Sequence, residues 1–134
     1  MPRRKSTEHH LSPLELDVMN VIWELGECTS AEVIEAFQKK RRLANTTIRT
    51  VMSNIRKKGY IEMVPSVESR IHFRAKVSKQ AVARRTVKQM LGDLFSGSPR
   101  EAIAFLLKEE FLEPGELEEI RKMIDEYDDS EEPS

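Results

Sequence analysis

The chain has 134 residues, 39% of them hydrophobic and 34% charged, which suits one or two small helical domains with a highly charged surface. Its formal net charge of −1 conceals a division: residues 1–77 carry 14 basic against 9 acidic side chains, residues 78–134 carry 8 against 14. No apolar run approaches the ~20 residues that span a bilayer, and the basic start at residues 1–6 leads into no hydrophobic stretch, so no secretory leader is expected and the compartment is read as cytoplasmic.

Residues 1–10 are polar and unpatterned and read as a disordered basic arm. Ser12-Pro13-Leu14-Glu15 then forms a capping box with proline at the first helical position, where its missing N–H costs nothing. Leu11 and Leu16 stand where a hydrophobic staple would. The first helix runs on through Val18, Met19, Ile22, Trp23 and Leu25, and Gly26 is placed to end it. Cys28, the single cysteine, excludes an intramolecular disulfide or a thiolate metal cluster within one chain and reads as a small residue before a cap. A second capping box, Thr29-Ser30-Ala31-Glu32, opens a helix with Val33, Ile34 and Phe37 on one face, fading into residues 39–42. The third helix is expected to open with Asn45 as its cap. Its buried stripe is Ile48, Val51, Met52 and Ile55, and Gly59 closes it.

After Gly59 the apolar period changes from helical to alternating. Tyr60-Ile61-Glu62-Met63-Val64 and Ile71-His72-Phe73-Arg74-Ala75 are strand-like, with Pro65-Ser66-Val67-Glu68-Ser69 as the turn between them. Three helices followed by a β-hairpin is the order of a winged helix-turn-helix, assigned to residues 11–77. Ser78 starts a fourth helix reaching Phe95, and Ser96-Gly97 breaks it. A third capping box, Ser98-Pro99-Arg100-Glu101, opens the fifth helix, and Pro114 begins the sixth, where Leu117, Ile120, Ile124 and Tyr127 step by three, four and three. The fold class is therefore mainly α: a winged-helix head, a three-helix arm over residues 78–127, and an acidic tail at residues 128–134 read as disordered.

The arm's apolar positions, Val87, Met90, Leu91, Leu94, Ile103, Leu106, Leu107, Leu117, Ile120 and Ile124, are too many for some fifty residues to bury internally, so the arm is expected to form a homodimer. Two heads would then read two half-sites about one helical turn apart.

Residues 39–58 hold eight basic side chains and no acid, which is what a polyanion binder needs to neutralise phosphates and release their counterions. On the third helix, Thr46, Thr47, Arg49, Thr50 and Ser53 are candidate base readers, because arginine reaches guanine O6 and N7 and threonine methyls meet thymine methyls. Lys39, Lys40, Arg42, Arg56, Lys57 and Lys58 are candidate phosphate contacts, with Arg70 and Arg74 of the hairpin lying over a groove or its phosphates. The partner is thus double-stranded DNA. No catalytic grouping, cofactor motif or metal-ligand set emerges: His9, His10 and Glu8 belong to the arm, and the carboxylates of residues 101–132 read as a solvated helix face.

Leu14-Glu15-Leu16-Asp17-Val18-Met19-Asn20-Val21-Ile22-Trp23 resembles the opening helix of the penicillinase-repressor (BlaI/MecI/CopY) family. Thr47-Ile48-Arg49-Thr50-Val51-Met52 through Lys57-Lys58-Gly59-Tyr60-Ile61 resembles that family's recognition helix and entry to the wing, and the likeness runs over about residues 11–127. The resemblance implies homodimers on dyad operators with TACA/TGTA-type half-sites, blocking transcription of resistance or regulatory genes. In some members a membrane-bound sensor protease triggers cleavage of an Asn-Phe bond in the dimerisation domain. The corresponding position is Phe105-Leu106, where this chain has no asparagine. The chain also lacks the cysteine cluster of the copper-responsive branch, and it has Glu68-Ser69-Arg70 where the family's wing turn has Gly-Arg. Two alternatives stand beside this reading: a winged-helix regulator with a small-molecule effector, and a protein-interaction module whose basic helix binds an acidic partner.

Overall fold

The computed structural model describes residues 10–65 and 70–130. Among the described residues, six helices and three short strands follow in the order α1 (Pro13–Leu25), β1 (Cys28–Thr29), α2 (Ser30–Lys40), α3 (Asn45–Lys57), β2 (Ile61–Val64), β3 (His72–Ala75), α4 (Lys79–Leu94), α5 (Pro99–Lys108) and α6 (Pro114–Ser130). The chain divides into two compact units, one ending at Arg84 and the other starting at Arg85. That division falls inside α4 rather than at its first residue, because Val82 is buried in the core of the first unit.

The local signals of the first unit act as the sequence suggests. Ser12 and Glu15 cap each other's backbone amides at 3.1 and 2.8 Å, and Thr29 and Glu32 repeat the arrangement at 3.2 and 2.8 Å. Gly26 ends α1 at φ +78°, and Gly59 follows α3 at φ +92°, in a region where a Cβ would be strained. α1 contributes Val18, Met19, Val21 and Ile22 to the core, α2 contributes Val33, Ile34 and Phe37, and α3 contributes Ile48, Val51, Met52 and Ile55. Tyr60 and Ile61 complete it. Trp23 lies at its edge, its indole N–H donating to the Val77 carbonyl at 2.9 Å.

Several local expectations are corrected. The sheet has three strands in the order β1-β3-β2, all antiparallel, and β1 was not foreseen. Cys28 and Thr29 pair with Phe73 and His72, so Cys28 is a buried strand residue, and burial, then Glu32 and Glu27, push its thiol up to about 11. The staple does not close, since Leu11 packs on the core while Leu16 faces outward, as does Leu25. Asn45 is the first helical residue of α3 rather than its cap; Ala44 holds that place and supplies no side-chain bond. The turn at residues 66–69 and the arm at residues 1–9 lie outside the described residues.

In the second unit, Ser96 and Gly97 both take positive φ, 53° and 76°, and the Gly97 amide donates to the Leu91 carbonyl at 2.7 Å. The third capping box is only half made. Ser98 Oγ accepts from the Glu101 amide, but the Ser98 amide is already donated to the Phe95 carbonyl at 2.9 Å. Phe105 packs edge-on to Phe95 with ring centres 5.6 Å apart and lies 6.2 Å from Phe111. α6 extends through Ser130, so residues 128–130, expected in the tail, are helical. No glycine or proline stands between Gly115 and Pro133 to stop the ladder.

Candidate nucleic-acid interface

Burial of four residues spaced by three, one and three fixes how α3 lies on the head, and so decides what its other face presents. Thr46, Arg49, Thr50 and Ser53 follow the same spacing and are all exposed, while Thr47 is half-buried beside the stripe. Asn54 is exposed next to them. The outward face of α3 therefore carries hydroxyls, one amide and one guanidinium near its middle, and no acid.

The candidate phosphate contacts divide into two groups. Lys39, Arg42, Arg56 and Lys57 are exposed, as is Arg70, and none of them makes an ion pair among the described residues. Others are engaged within the head. Lys40 reaches Glu24 at 3.2 Å, and Arg74 reaches Glu62 across β2 and β3 at 2.8 Å. Arg41, which was not proposed as a contact, reaches Asp17 at 3.5 Å and lies over the Phe37 ring. Such exposed pairs are weak and can open to a phosphate at little cost.

Lys58 is different. Its ammonium donates to Glu15 Oε1 at 2.7 Å and to the His10 carbonyl at 2.8 Å, and Glu15 is almost fully buried. Burial raises the Glu15 pKa, but the bond from Lys58 and those from Ser12 outweigh it, so the carboxyl lies below its ordinary value of 4.5. Lys58 thus ties the end of α3 to the start of α1. A basic run in sequence cannot show this, because Glu15 lies 43 positions away.

Arg49, Ser53 and Arg56 of α3 meet Ser30 of α2 and Phe73 of β3 around a surface hollow of about 160 Å³. Two arginines thereby line one concavity at the junction of α2, α3 and the sheet. Among the described residues, no group of three His, Cys, Asp or Glu side chains could hold a metal ion, and no helix is long and apolar enough to cross a membrane.

Three helices on a small antiparallel sheet, with the exposed polar face of the third helix flanked by cations that make no ion pair among the described residues, define a winged helix-turn-helix protein. The penicillinase repressor profile matches residues 11–126, and the chain belongs to that family, whose members are transcriptional repressors and not enzymes. It is 28% identical over 114 residues to a penicillinase repressor of Staphylococcus aureus, covering 85% of this chain and 90% of that one. It is 26% identical over 117 residues to the methicillin resistance regulatory protein MecI of Mammaliicoccus sciuri, covering 87% and 94%. Among solved structures, Streptococcus pneumoniae FabT in complex with DNA aligns at a TM-score of 0.44 and 22% identity, covering 87% of this chain and 78% of that one.

Proposed function

We propose that the chain is a sequence-specific repressor that binds a dyad operator as a homodimer, with α3 in the major groove of each half-site. The observation that carries this is the outward face of α3: Thr46, Arg49, Thr50 and Ser53 stand exposed in one stripe without an acid, and Thr47 lies beside them. Short hydroxyls and one arginine on a helix surface suit base edges, which offer acceptors and methyls in patterns that differ between base pairs. Lys39, Arg42, Arg56 and Lys57 then meet phosphate, and Arg70 does so from the wing. Lys40 and Arg74 join them by exchanging an exposed carboxylate for a phosphate. Lys58 is assigned a structural role instead, since it holds Glu15. Membership in a family of repressors supports the same reading.

The homodimer is proposed from the second unit. Its apolar side chains are left at the surface: Val87, Met90, Leu94, Ile103, Leu106, Leu107 and Ile124 are exposed, and Leu91, Leu117 and Ile120 are half-buried. An apolar surface of that extent on a small unit needs a second surface to cover it. Release by a membrane-bound sensor protease would act on Phe105-Leu106. That bond lies inside α5, which must open before it can be cut.

The test is binding of the full chain to a duplex carrying a TACA/TGTA dyad and to a scrambled duplex over a series of salt concentrations. Preference for the dyad at physiological salt, with affinity falling steeply as salt rises, is the expected result. Equal affinity for both duplexes would remove the repressor reading.

A further inference from the structure

The segment joining α2 to α3, residues 41–44, brings little of its own to fix where α3 begins. Ala44, the N-cap, has no side-chain acceptor for the free amides of the first turn. What holds the segment instead is Gln38, in the last turn of α2, which bonds the residues just before and at the helix start. Its Oε1 accepts from the Leu43 amide at 3.2 Å, and its Nε2 donates both to the Leu43 carbonyl and to Asn45 Oδ1, the latter at 3.1 Å. One primary amide thereby satisfies both backbone groups of Leu43 and holds the side chain of the first helical residue. Of the twenty side chains, only glutamine and asparagine offer an acceptor and two donors at one end in this form, and only glutamine has this reach. Leu43 itself packs against the core, so the turn is held by its side chain from within and by Gln38 from the rim.

We propose that Gln38 is a positioning residue for base recognition: it locks the turn before α3 and so sets where Thr46 and Thr47, one and two residues beyond Asn45, meet the bases. This rests on the reading that α3 enters the major groove. The rest of α3 is anchored independently by Ile48, Val51, Met52 and Ile55, so loss of Gln38 loosens the first turn without releasing the helix. Asn45 Oδ1 is engaged by Gln38. The consequence is a split: discrimination between sequences depends on Gln38, whereas general affinity for duplex DNA, carried by the cations, does not.

The experiment selects binding sites from a randomised duplex pool with the full-length wild type, Gln38→Met and Gln38→Glu. Methionine keeps the length and removes every bond; glutamate keeps the acceptor for the Leu43 amide, loses both donors, and serves if methionine fails to fold. Folding is read from Trp23 fluorescence. The wild type is expected to enrich one dyad sequence. The variants should lose preference at the half-site positions facing the start of α3, with roughly a tenfold drop in the ratio of enriched-site to scrambled-site affinity. Their affinity for the scrambled duplex should stay within about twofold of wild type. Unchanged selectivity in a folded variant, or a parallel fall on both duplexes, would overturn the role of Gln38 alone. Failure of the wild type to enrich any sequence would overturn the reading of α3 as well.

Discussion

Replacing Glu15 by glutamine should destabilise the first unit by about 2 kcal/mol. Glu15 Oε1 accepts from the Ser12 amide at 2.8 Å and from Lys58 Nζ at 2.7 Å, with the residue almost fully buried. Hydrogen bonds to a charged group contribute ~1.5–3 kcal/mol each, and the carboxylate near the start of α1 adds a few tenths from the helix dipole. Glutamine keeps one oxygen, and the Lys58 side chain is 28% exposed and regains water, so about half of the gross value is lost. For a domain of this size each kcal/mol shifts the midpoint by roughly 4–8 °C, so a fall of roughly 8–16 °C is expected. The assay is thermal unfolding of the full chain followed by Trp23 fluorescence.

The same pair sets the sign of the pH response. The folded pKa of Glu15 lies below its ordinary value of 4.5, so its stabilisation is present in full above that value and is lost as pH falls through the folded pKa. The wild type should therefore lose its advantage on acidification, and its midpoint should approach that of Glu15→Gln. A neutral-pH difference under about 2 °C, or a gap that stays constant into acid, would refute the claim that the ionised carboxylate holds α1 to α3.

Arg49→Ala should cost about 1–3 kcal/mol on the operator and relax base preference where the guanidinium sits, measured by equilibrium binding to single-base operator variants. Lys57→Ala should weaken binding to all duplexes alike and reduce the slope of log affinity against log salt by about one, which a salt series on two unrelated duplexes will show. Leu106→Asp should dissociate the proposed homodimer, since an uncompensated charge buried in its interface costs several kcal/mol. Sedimentation that still shows a dimer at micromolar concentration would place Leu106 outside the interface.

What was legible in the sequence is what depends on neighbours within a turn. Ser12 with Glu15 and Thr29 with Glu32 are three residues apart, and their chemistry fixes two helix starts before any packing is known. The buried stripe of α3 was equally plain, and with it the outward stripe that makes the candidate interface. What escaped depends on partners far along the chain. β1 has only two residues, too few for a period, and exists because Phe73 and His72 come to lie beside it. The half-made box at Ser98 failed because the preceding turn had already used its amide. Among the basic residues, type and spacing are the same for Lys57 and Lys58, yet only the second meets a buried carboxylate. Gln38 gave no signal at all: a glutamine near a helix end is ordinary, and its importance comes from a turn that lacks a capping side chain.

The two units differ in how completely they satisfy themselves, and that difference bears on how a repressor of this kind would be released. The first unit buries residues from α1, α2 and α3 and closes the starts of α1 and α2 with side chains. The second buries no residue of α5 and leaves much of its apolar surface open, so on the proposed reading its free energy of ordering depends on a second chain. Two linked heads bind a dyad more tightly than one because the second half-site is met at high effective concentration. A signal that opened the second unit would then lower operator affinity without altering any residue that touches DNA. The reverse also follows. Changes at Arg49, Gln38 or Lys57 should alter which DNA is bound, or how strongly, while the concentration at which the chain dimerises stays the same.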